Sequence, residues 1–139
     1  MNRRVSRENA FIAFFELSFK PDDLDEIIKF SRVHEDAYKV DEFGENLIAL
    51  SIKNSDEIED IISENLKGWK IERLPRVSKT ILKLAIAEIL YGDKDMDSIV
   101  INEAVEISKK FSDDNDYKFI NGVLGNVSRQ YHPKSSEIE

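Results

Sequence analysis

The chain has 139 residues, of which 41% are hydrophobic and five are glycine, so it can form one domain with a real core. It has no cysteine, which excludes a disulfide scaffold, thiol catalysis and cysteine-ligated metals. A net charge of −8 argues against non-specific nucleic-acid binding by the whole surface, although residues 1–7 carry three arginines and no acid.

Apolar residues recur at helical spacing along most of the chain, and no segment alternates as a strand would. The predicted helices span, in chain order, residues 6–19, 22–30, 35–53, 56–66, 76–91, 99–111 and 116–131. Residues 68–74 form a connector, and residues 132–139 are predicted to be a flexible C-terminal tail. We therefore expect an all-α protein with a single domain over residues 1–131.

The helix predicted over residues 76–91 should lie at the centre of the fold. From Ile81 to its end, only Lys83 and Glu88 are polar, and a helix that is apolar on nearly all sides must be covered by other elements. Pro75 suits its first turn, and Gly92 suits a left-handed stop after its last residue.

Residues that favour helix ends mark the other predicted boundaries. Ser6 suits the N-cap of the first helix, and Asp22 or Asp23 suits that of the second. Asn54 followed by Glu57 resembles a capping box for the fourth helix. Gly44 lies inside the third helix at a cost of roughly 1 kcal/mol relative to alanine, which predicts close packing there.

The sequence gives little support to enzyme chemistry. His34 and His132 lie in unrelated segments without metal-ligand spacing. There is no glycine-rich phosphate loop after a strand and no nucleophile elbow. No long apolar segment resembles a signal peptide or a membrane span. We expect a cytoplasmic binding protein, not an enzyme, that needs no metal or cofactor and contacts no membrane.

The arginines at the N-terminus favour an anionic ligand. Arg3, Arg4 and Arg7 precede or open the first helix, where cations oppose the positive end of the helix dipole. A bound polyanion would reverse that cost, and arginine binds phosphate through two parallel hydrogen bonds. A solvated terminus with incidental arginines is an equally good interpretation of the residues alone.

The last predicted helix contains a second candidate surface. Gly122 and Gly125 weaken it, and a tight helix crossing at the two glycines would explain them. Such a crossing explains Lys118, Phe119 and Asn121 less well. An aromatic side chain beside a base and an amide suits single-stranded RNA, although Phe119 could equally belong to the core.

Several segments together resemble one family. INEAVEISKKF (residues 101–111), followed after a polar turn by KFINGVLG (residues 118–125), is similar to the signature of the bacterial transcription antitermination factor NusB. RLPRVSKTILKLAIAEIL (residues 73–90) resembles the central helix of that family. RENAFIAFFEL (residues 7–17) resembles its first helix, with the arginine-rich arm ahead of it.

The resemblance implies an all-α fold of about seven helices in two subbundles. It also implies a function in transcription antitermination. Members of the family bind the boxA element of ribosomal RNA leader transcripts together with ribosomal protein NusE. That complex joins RNA polymerase and other Nus factors and suppresses premature termination.

The resemblance also implies roles for individual residues. The residues that match the RNA-binding positions of the family are Arg3, Arg4, Arg7, Phe15, Lys118 and Phe119. Weaker candidates for the NusE side, at the connector and the start of the central helix, are Glu72, Arg76 and Lys79. One departure is that Asp97-Ser98 stands where the family usually has a proline, and Ser98 can cap the sixth helix instead.

Two other functions are open at this point. An RNA cytosine methyltransferase can carry an N-terminal domain of this kind, so the chain could be a fragment of one, although it has no strand pattern for a cofactor-binding domain. A helical adaptor that binds protein without RNA is the second alternative. The resemblance also implies that some family members form homodimers that mask the RNA surface. The sequence does not decide between a monomer and a homodimer.

Overall fold

A computed structural model describes residues 2–19 and 39–133, which contain six α-helices and one 3₁₀-helix. The α-helices are α1 (Arg3–Phe19), α2 (Glu42–Lys53), α3 (Ser55–Glu64), α4 (Arg76–Tyr91), α5 (Asp97–Phe111) and α6 (Asp116–Tyr131), and the 3₁₀-helix is Ile71–Arg73. The predicted all-α fold is confirmed. The helix predicted over residues 22–30 and most of the predicted tail lie outside the described residues.

The central helix is α4, with the bounds that its sequence predicts. Ten of its sixteen residues are buried. It packs against α1 and α2 on one side and against α5 and α6 on the other, and α3 also contacts it. The two groups of helices therefore share α4 as a common wall, and this explains why so few of its positions are polar.

The core is built from aliphatic side chains of every helix around α4. The largest fully buried ones are Ile48, Ile58, Ile62, Leu82, Ile86, Ile120 and Leu124. Each such side chain contributes about 1.5–3 kcal/mol when it leaves water. No helix within residues 2–19 and 39–133 has the length and hydropathy needed to cross a bilayer.

The start of α1 differs from the prediction. The helix begins directly after Asn2, whose Oδ1 accepts a hydrogen bond from the Val5 N–H at 2.9 Å. Ser6 is therefore not the N-cap: it is buried, and its hydroxyl donates to Asp41 Oδ2 at 2.5 Å. Asp41 in turn caps α2 by accepting from the Gly44 N–H at 2.9 Å. Because Asp41 is extended, α2 starts at residue 42 and not at residue 35.

At three other helix ends the capping differs from the prediction. Asn54 is the N-cap residue of α3 as predicted, but its side chain accepts no capping hydrogen bond, and its amide donates to the Leu50 carbonyl oxygen at 2.9 Å. Gly92 has a φ of −88° and so does not provide a left-handed stop. Ser98 lies inside α5, which begins at Asp97, and no side chain caps that helix.

The glycines have different surroundings. A Cβ at Gly44 would lie 3.1 Å from Val40 Cγ1 and 3.3 Å from Ala10 Cβ, which confirms the predicted close packing. A Cβ at Gly122 would meet nothing within 4 Å, and one at Gly125 would meet only the Arg129 side chain. The predicted tight crossing at these two α6 glycines was therefore wrong.

Candidate functional site

The three N-terminal arginines point to three different helices. Arg7 is almost fully buried, with 7% of its surface exposed, and forms a bidentate pair with Glu88 of α4. The distances are 2.9 Å from Nε to Oε1 and 2.7 Å from Nη2 to Oε2. The hydrogen bonds from Arg7 to this carboxylate raise the pKa of Arg7 despite its burial, so Arg7 stays a cation.

The burial of Arg7 bears on its expected role in RNA binding. The Nε and Nη2 groups of the guanidinium bind Glu88 and only 7% of Arg7 is exposed, so little of its charge is accessible to a phosphate. Arg7 therefore joins α1 to the central helix and does not offer its charge at the surface.

Arg3 and Arg4 are exposed, but each also has a partner. The Arg4 guanidinium binds Glu103 of α5, with 3.1 Å between Nε and Oε2, while 71% of the Arg4 side chain stays exposed. These hydrogen bonds and the charge of Glu103 raise the pKa of Arg4. Arg3 instead lies over the ring of Phe43, 4.1 Å from its centroid. The two side chains therefore diverge toward α5 and α2.

Phe15 belongs to a row of aromatic rings that joins α1 to the end of α5. Its ring stacks on Phe11 with 5.7 Å between centroids, and Phe11 meets Phe111 at 5.2 Å. Phe11 is buried, Phe15 is half-buried, and 38% of Phe111 is exposed. The buried ring fixes the positions of the two rings that solvent reaches.

Two lysines at the end of α5 continue this row toward α6. Lys110 Nζ lies 2.6 Å from Glu8 Oε1 and 5.5 Å from the Phe111 centroid. Lys109 Nζ lies 5.0 Å from the centroid of Tyr117, in the first turn of α6. Both lysines are exposed, so positive charge borders the aromatic row.

The first turn of α6 presents three successive side chains in different directions. Successive residues of an α-helix are rotated by about 100°. Tyr117 turns toward Lys109 of α5, and Phe119 lines a groove together with Trp69 of the connector. Lys118 lies between them and is exposed. The predicted Lys118-Phe119 pair is therefore on the surface, and Phe119 is not a core residue.

The three candidate partner-binding residues line one cleft of about 380 Å³ beside the end of α1. Glu72 is exposed in the 3₁₀-helix. Arg76 donates to the Ser18 carbonyl oxygen at 2.5 Å, and Lys79 lies 3.8 Å from Glu59. The cleft is separate from the groove at Phe119, although the connector borders both.

Comparisons with known proteins identify the relatives of this chain. The model of the NusB family matches residues 4–129. The transcription antitermination protein NusB of Exiguobacterium sp. is 36% identical over 130 residues, which cover 94% of this chain and 99% of the relative. The chain belongs to the NusB family.

Solved structures of NusB share the fold. NusB of T. maritima superimposes with a TM-score of 0.81 at 29% identity, over 99% of this chain and 97% of that one. A chain from the crystal structure of antitermination factors NusB and NusE in complex with dsRNA has a TM-score of 0.75 at 27% identity. That match covers 93% of this chain and 97% of the other. The family is named for transcription antitermination, not for an enzymatic reaction.

The structure gathers some of the predicted RNA-binding residues and separates others. Phe15 lies beside the α5–α6 end of the molecule, where Lys118 and Phe119 begin α6. Arg4 lies about 16 Å further along α1, because eleven residues separate it from Phe15. Arg3 faces α2, and Arg7 is internal.

Sequence reasoning missed four residues in this region. In the sequence, the end of the fifth α-helix has no unusual feature at Lys109, Lys110 and Phe111. These residues become part of a surface only through their contacts with α1 and α6. Trp69 was read as part of a connector. Its residue type could have marked it as a candidate binding residue, because it is the only tryptophan of the chain and stands in a polar loop.

The residues described here contain no group of three or more His, Asp or Glu side chains that could hold a metal ion. Asp97 Oδ2 accepts from Ser128 Oγ at 2.7 Å and lies 2.9 Å from His132 Nδ1. Both contacts converge on one carboxylate oxygen, so this cluster joins α5 to the end of α6.

Proposed function

We propose that this protein is a transcription antitermination factor that binds boxA RNA of ribosomal RNA operon transcripts together with ribosomal protein NusE. In the cytoplasm, this complex would join RNA polymerase and other Nus factors and promote processive transcription. The observation that carries the proposal is the family match over residues 4–129. The similarity to the NusB chain of a NusB–NusE–RNA complex adds to it.

The surface where α1, α5 and α6 meet suits RNA on physical grounds. Single-stranded bases stack on aromatic rings, and phosphates bind cations. Phe15, Phe119 and Lys118 supply these groups at one end of the molecule. Arg3 and Arg4 extend the surface along α1, where a phosphate would compete with their present partners.

The rest of the surface discourages non-specific RNA binding. The net charge is −8, and residues 54–66 alone carry five acids and no base. A polyanion is repelled by such a surface except where cations are concentrated. RNA binding by the protein alone is therefore expected to be weak, and selective for one region.

NusE would strengthen RNA binding by adding a second contact. When two binding surfaces hold one RNA, the second contact forms at a high effective concentration, and the joint affinity can exceed either separate affinity by about 100-fold or more. We assign the cleft of Glu72, Arg76 and Lys79 to NusE. The cleft and the groove at Phe119 share only Leu74 among their lining residues, so both ligands can be bound together.

The proposal is tested by gel-shift titrations of boxA RNA and a scrambled RNA, each with and without NusE. We expect boxA to bind more tightly than the scrambled RNA and NusE to increase the difference. No preference for boxA in either condition would contradict the proposal. NusE binding with no RNA retained would instead identify a protein-binding adaptor.

The NusE cleft is tested by charge reversal. The double variant Glu72→Lys/Lys79→Glu keeps the net charge and should weaken NusE binding, measured by calorimetry without RNA. Its matched control is Asp93→Lys/Lys94→Glu, which reverses two exposed charges in the turn after α4. Equal NusE affinities for the two variants would move the NusE site elsewhere.

A further inference from the structure

A groove of about 440 Å³ lies between the connector and the first turn of α6. Trp69, with 65% of its surface exposed, and Phe119, with 36% exposed, both line it. Leu74 and Pro75 contribute to the apolar lining. Its volume falls within the range of ligand sites, about 300–1,000 Å³.

The connector holds Trp69 outward by its own packing. Leu66 before it and Leu74 after it are both buried, so the connector is anchored at both ends. Between them Gly68 adopts a φ of +85°, a left-handed conformation that favours glycine, and the chain then turns into the 3₁₀-helix Ile71–Arg73. The tryptophan is therefore presented to solvent by a fixed backbone.

The segment that carries Trp69 is rich in positive charge, and its Lys67 lines the groove. Between Lys67 and Lys83 the sequence has six bases and one acid, in a chain whose net charge is −8. Lys79 and Lys83 share Glu59, and Arg76 binds a carbonyl oxygen of α1. The other three bases are exposed and form no ion pair within the described residues; they are Lys67, Lys70 and Arg73.

We propose that this groove holds one unpaired nucleobase of the bound RNA, stacked against Trp69 and Phe119, while Lys67 and Lys70 contact the neighbouring phosphates. The inference rests on the proposed RNA-binding function and adds a second contact region to it, on the connector side of Phe119. Aromatic rings with adjacent cations are the combination that holds single-stranded nucleic acid.

The polar groups of the groove favour a base over an apolar side chain of a protein partner. Asn65 and Asp116 also line the groove. The Asp116 carboxylate can accept hydrogen bonds from base N–H groups, as acidic side chains do from cytosine. An apolar protein side chain in the groove would leave that carboxylate and Lys67 without a partner.

Trp69 makes the proposal measurable without a label, because it is the only tryptophan of the chain. Stacking of a base on the indole should quench its fluorescence when single-stranded boxA RNA binds. The same RNA annealed to its complement should bind without quenching, because its bases are then paired. Saturating single-stranded boxA RNA that leaves the fluorescence unchanged would overturn the proposal.

A series of boxA RNAs, each with one abasic position, should locate the base. One position should lose about 5- to 150-fold in affinity for the unmodified protein, the range expected for a single stacked base. Trp69→Ala should lose a similar factor with intact RNA but lose nothing further with that abasic RNA. Trp69→Phe should recover part of the affinity. If the abasic position lowers the RNA affinity of Trp69→Ala by the same factor as that of the unmodified protein, the contact between this base and Trp69 is refuted.

The cations are tested by the salt dependence of binding. Lys67→Gln/Lys70→Gln should lower the slope of log affinity against log salt by about 0.7 for each lost phosphate contact. Lys53→Gln/Lys94→Gln removes the same charge from exposed lysines elsewhere and should leave the slope nearly unchanged. Identical slopes for the two double variants would remove the connector from the RNA surface.

Other outcomes separate this inference from the proposed function. If boxA is preferred to scrambled RNA but Trp69→Ala binds it as tightly as the unmodified protein, the groove proposal fails and the RNA-binding function stands. If Trp69→Ala weakens only NusE binding, measured without RNA, the groove anchors a protein and the proposal is wrong. The matched control is Ile52→Ala, which removes an exposed apolar side chain from α2 and should change neither affinity.

Discussion

The arginines of α1 and the basic residues of the connector each form a cluster of positive charge in the sequence, but the two clusters differ in what their side chains contact. Arg7 is held by Glu88, Arg4 by Glu103, and Arg3 lies on the Phe43 ring. Lys67 and Lys70 are exposed and form no ion pair within the described residues. A cation that already has a partner must exchange it for phosphate, whereas an unpaired one exchanges only water and salt ions. The number of bases in a segment is therefore a poor measure of its capacity for RNA.

The largest predicted effect that tests this comparison is the loss of stability when Arg7 is replaced. Arg7→Met leaves Glu88 charged and buried without a partner, and should lower the free energy of unfolding by about 3–5 kcal/mol in urea denaturation. Arg7→Met/Glu88→Leu replaces the pair with apolar side chains and should recover most of that loss. If Arg7→Met instead keeps full stability and lowers RNA affinity, Arg7 contacts RNA and its assignment as internal is wrong.

The next effect concerns the link between α1 and α2. Asp41→Ala removes the α2 N-cap and the partner of Ser6, and should lower the free energy of unfolding by about 1 kcal/mol, with a range of about 0.5–2. Asp41→Asn keeps a capping side chain and should lose less. Equal losses for the two variants would show that the charge and not the cap stabilises the link.

The Asp41 variants also predict a dependence on pH. Partial burial raises the pKa of Asp41, but hydrogen bonds from Ser6 and the Gly44 N–H, with the charge of Arg3, outweigh it and lower the pKa below 3.8. A lowered pKa stabilises the fold above the ordinary value and loses this effect as the pH falls through the folded value. The stability gap between wild type and Asp41→Ala should narrow below pH 3.8.

A smaller effect is expected on the exposed face of α6. Gly122→Ala meets no neighbouring atom, and should stabilise the free protein by up to about 1 kcal/mol because alanine is the better helix former. If RNA approaches the α6 backbone closely, the same variant should weaken boxA binding while it raises the melting temperature. A matched glycine is Gly92, where a Cβ would lie 2.5 Å from the Glu88 carbonyl oxygen and alanine should destabilise.

The smallest predicted effect concerns the two exposed arginines of α1 and compares their phosphate contacts with those of the connector lysines. Arg3→Gln/Arg4→Gln should leave the unfolding midpoint unchanged within error, because surface ion pairs contribute little. It should also lower the salt slope of boxA binding by less than Lys67→Gln/Lys70→Gln does, since both arginines have internal partners. A larger change for the arginine pair would return the main phosphate contact to α1.

Local sequence predicted the helices well where periodicity and flanking residues agree. The bounds of α4 and α6 match the predicted ranges, because an uninterrupted apolar pattern and a following turn are both local signals. The predicted N-cap at Ser6 and the predicted left-handed conformation of Gly92 were wrong for another reason. Helix ends depend on which partner reaches a side chain, and Ser6 has a partner on α2 that no local pattern reveals.

The sequence by itself determined that the chain is helical, which helix lies at the centre, and to which family the chain is similar. Only the tertiary structure decided which charges are available to a ligand. Arg7 binds Glu88, and Trp69 and Phe119 line one groove, although the members of each pair are far apart in the chain. Both arrangements follow from packing around α4. Periodicity specifies which face of a helix is apolar, whereas burial and pairing of a charged side chain are set by the helix that packs against it.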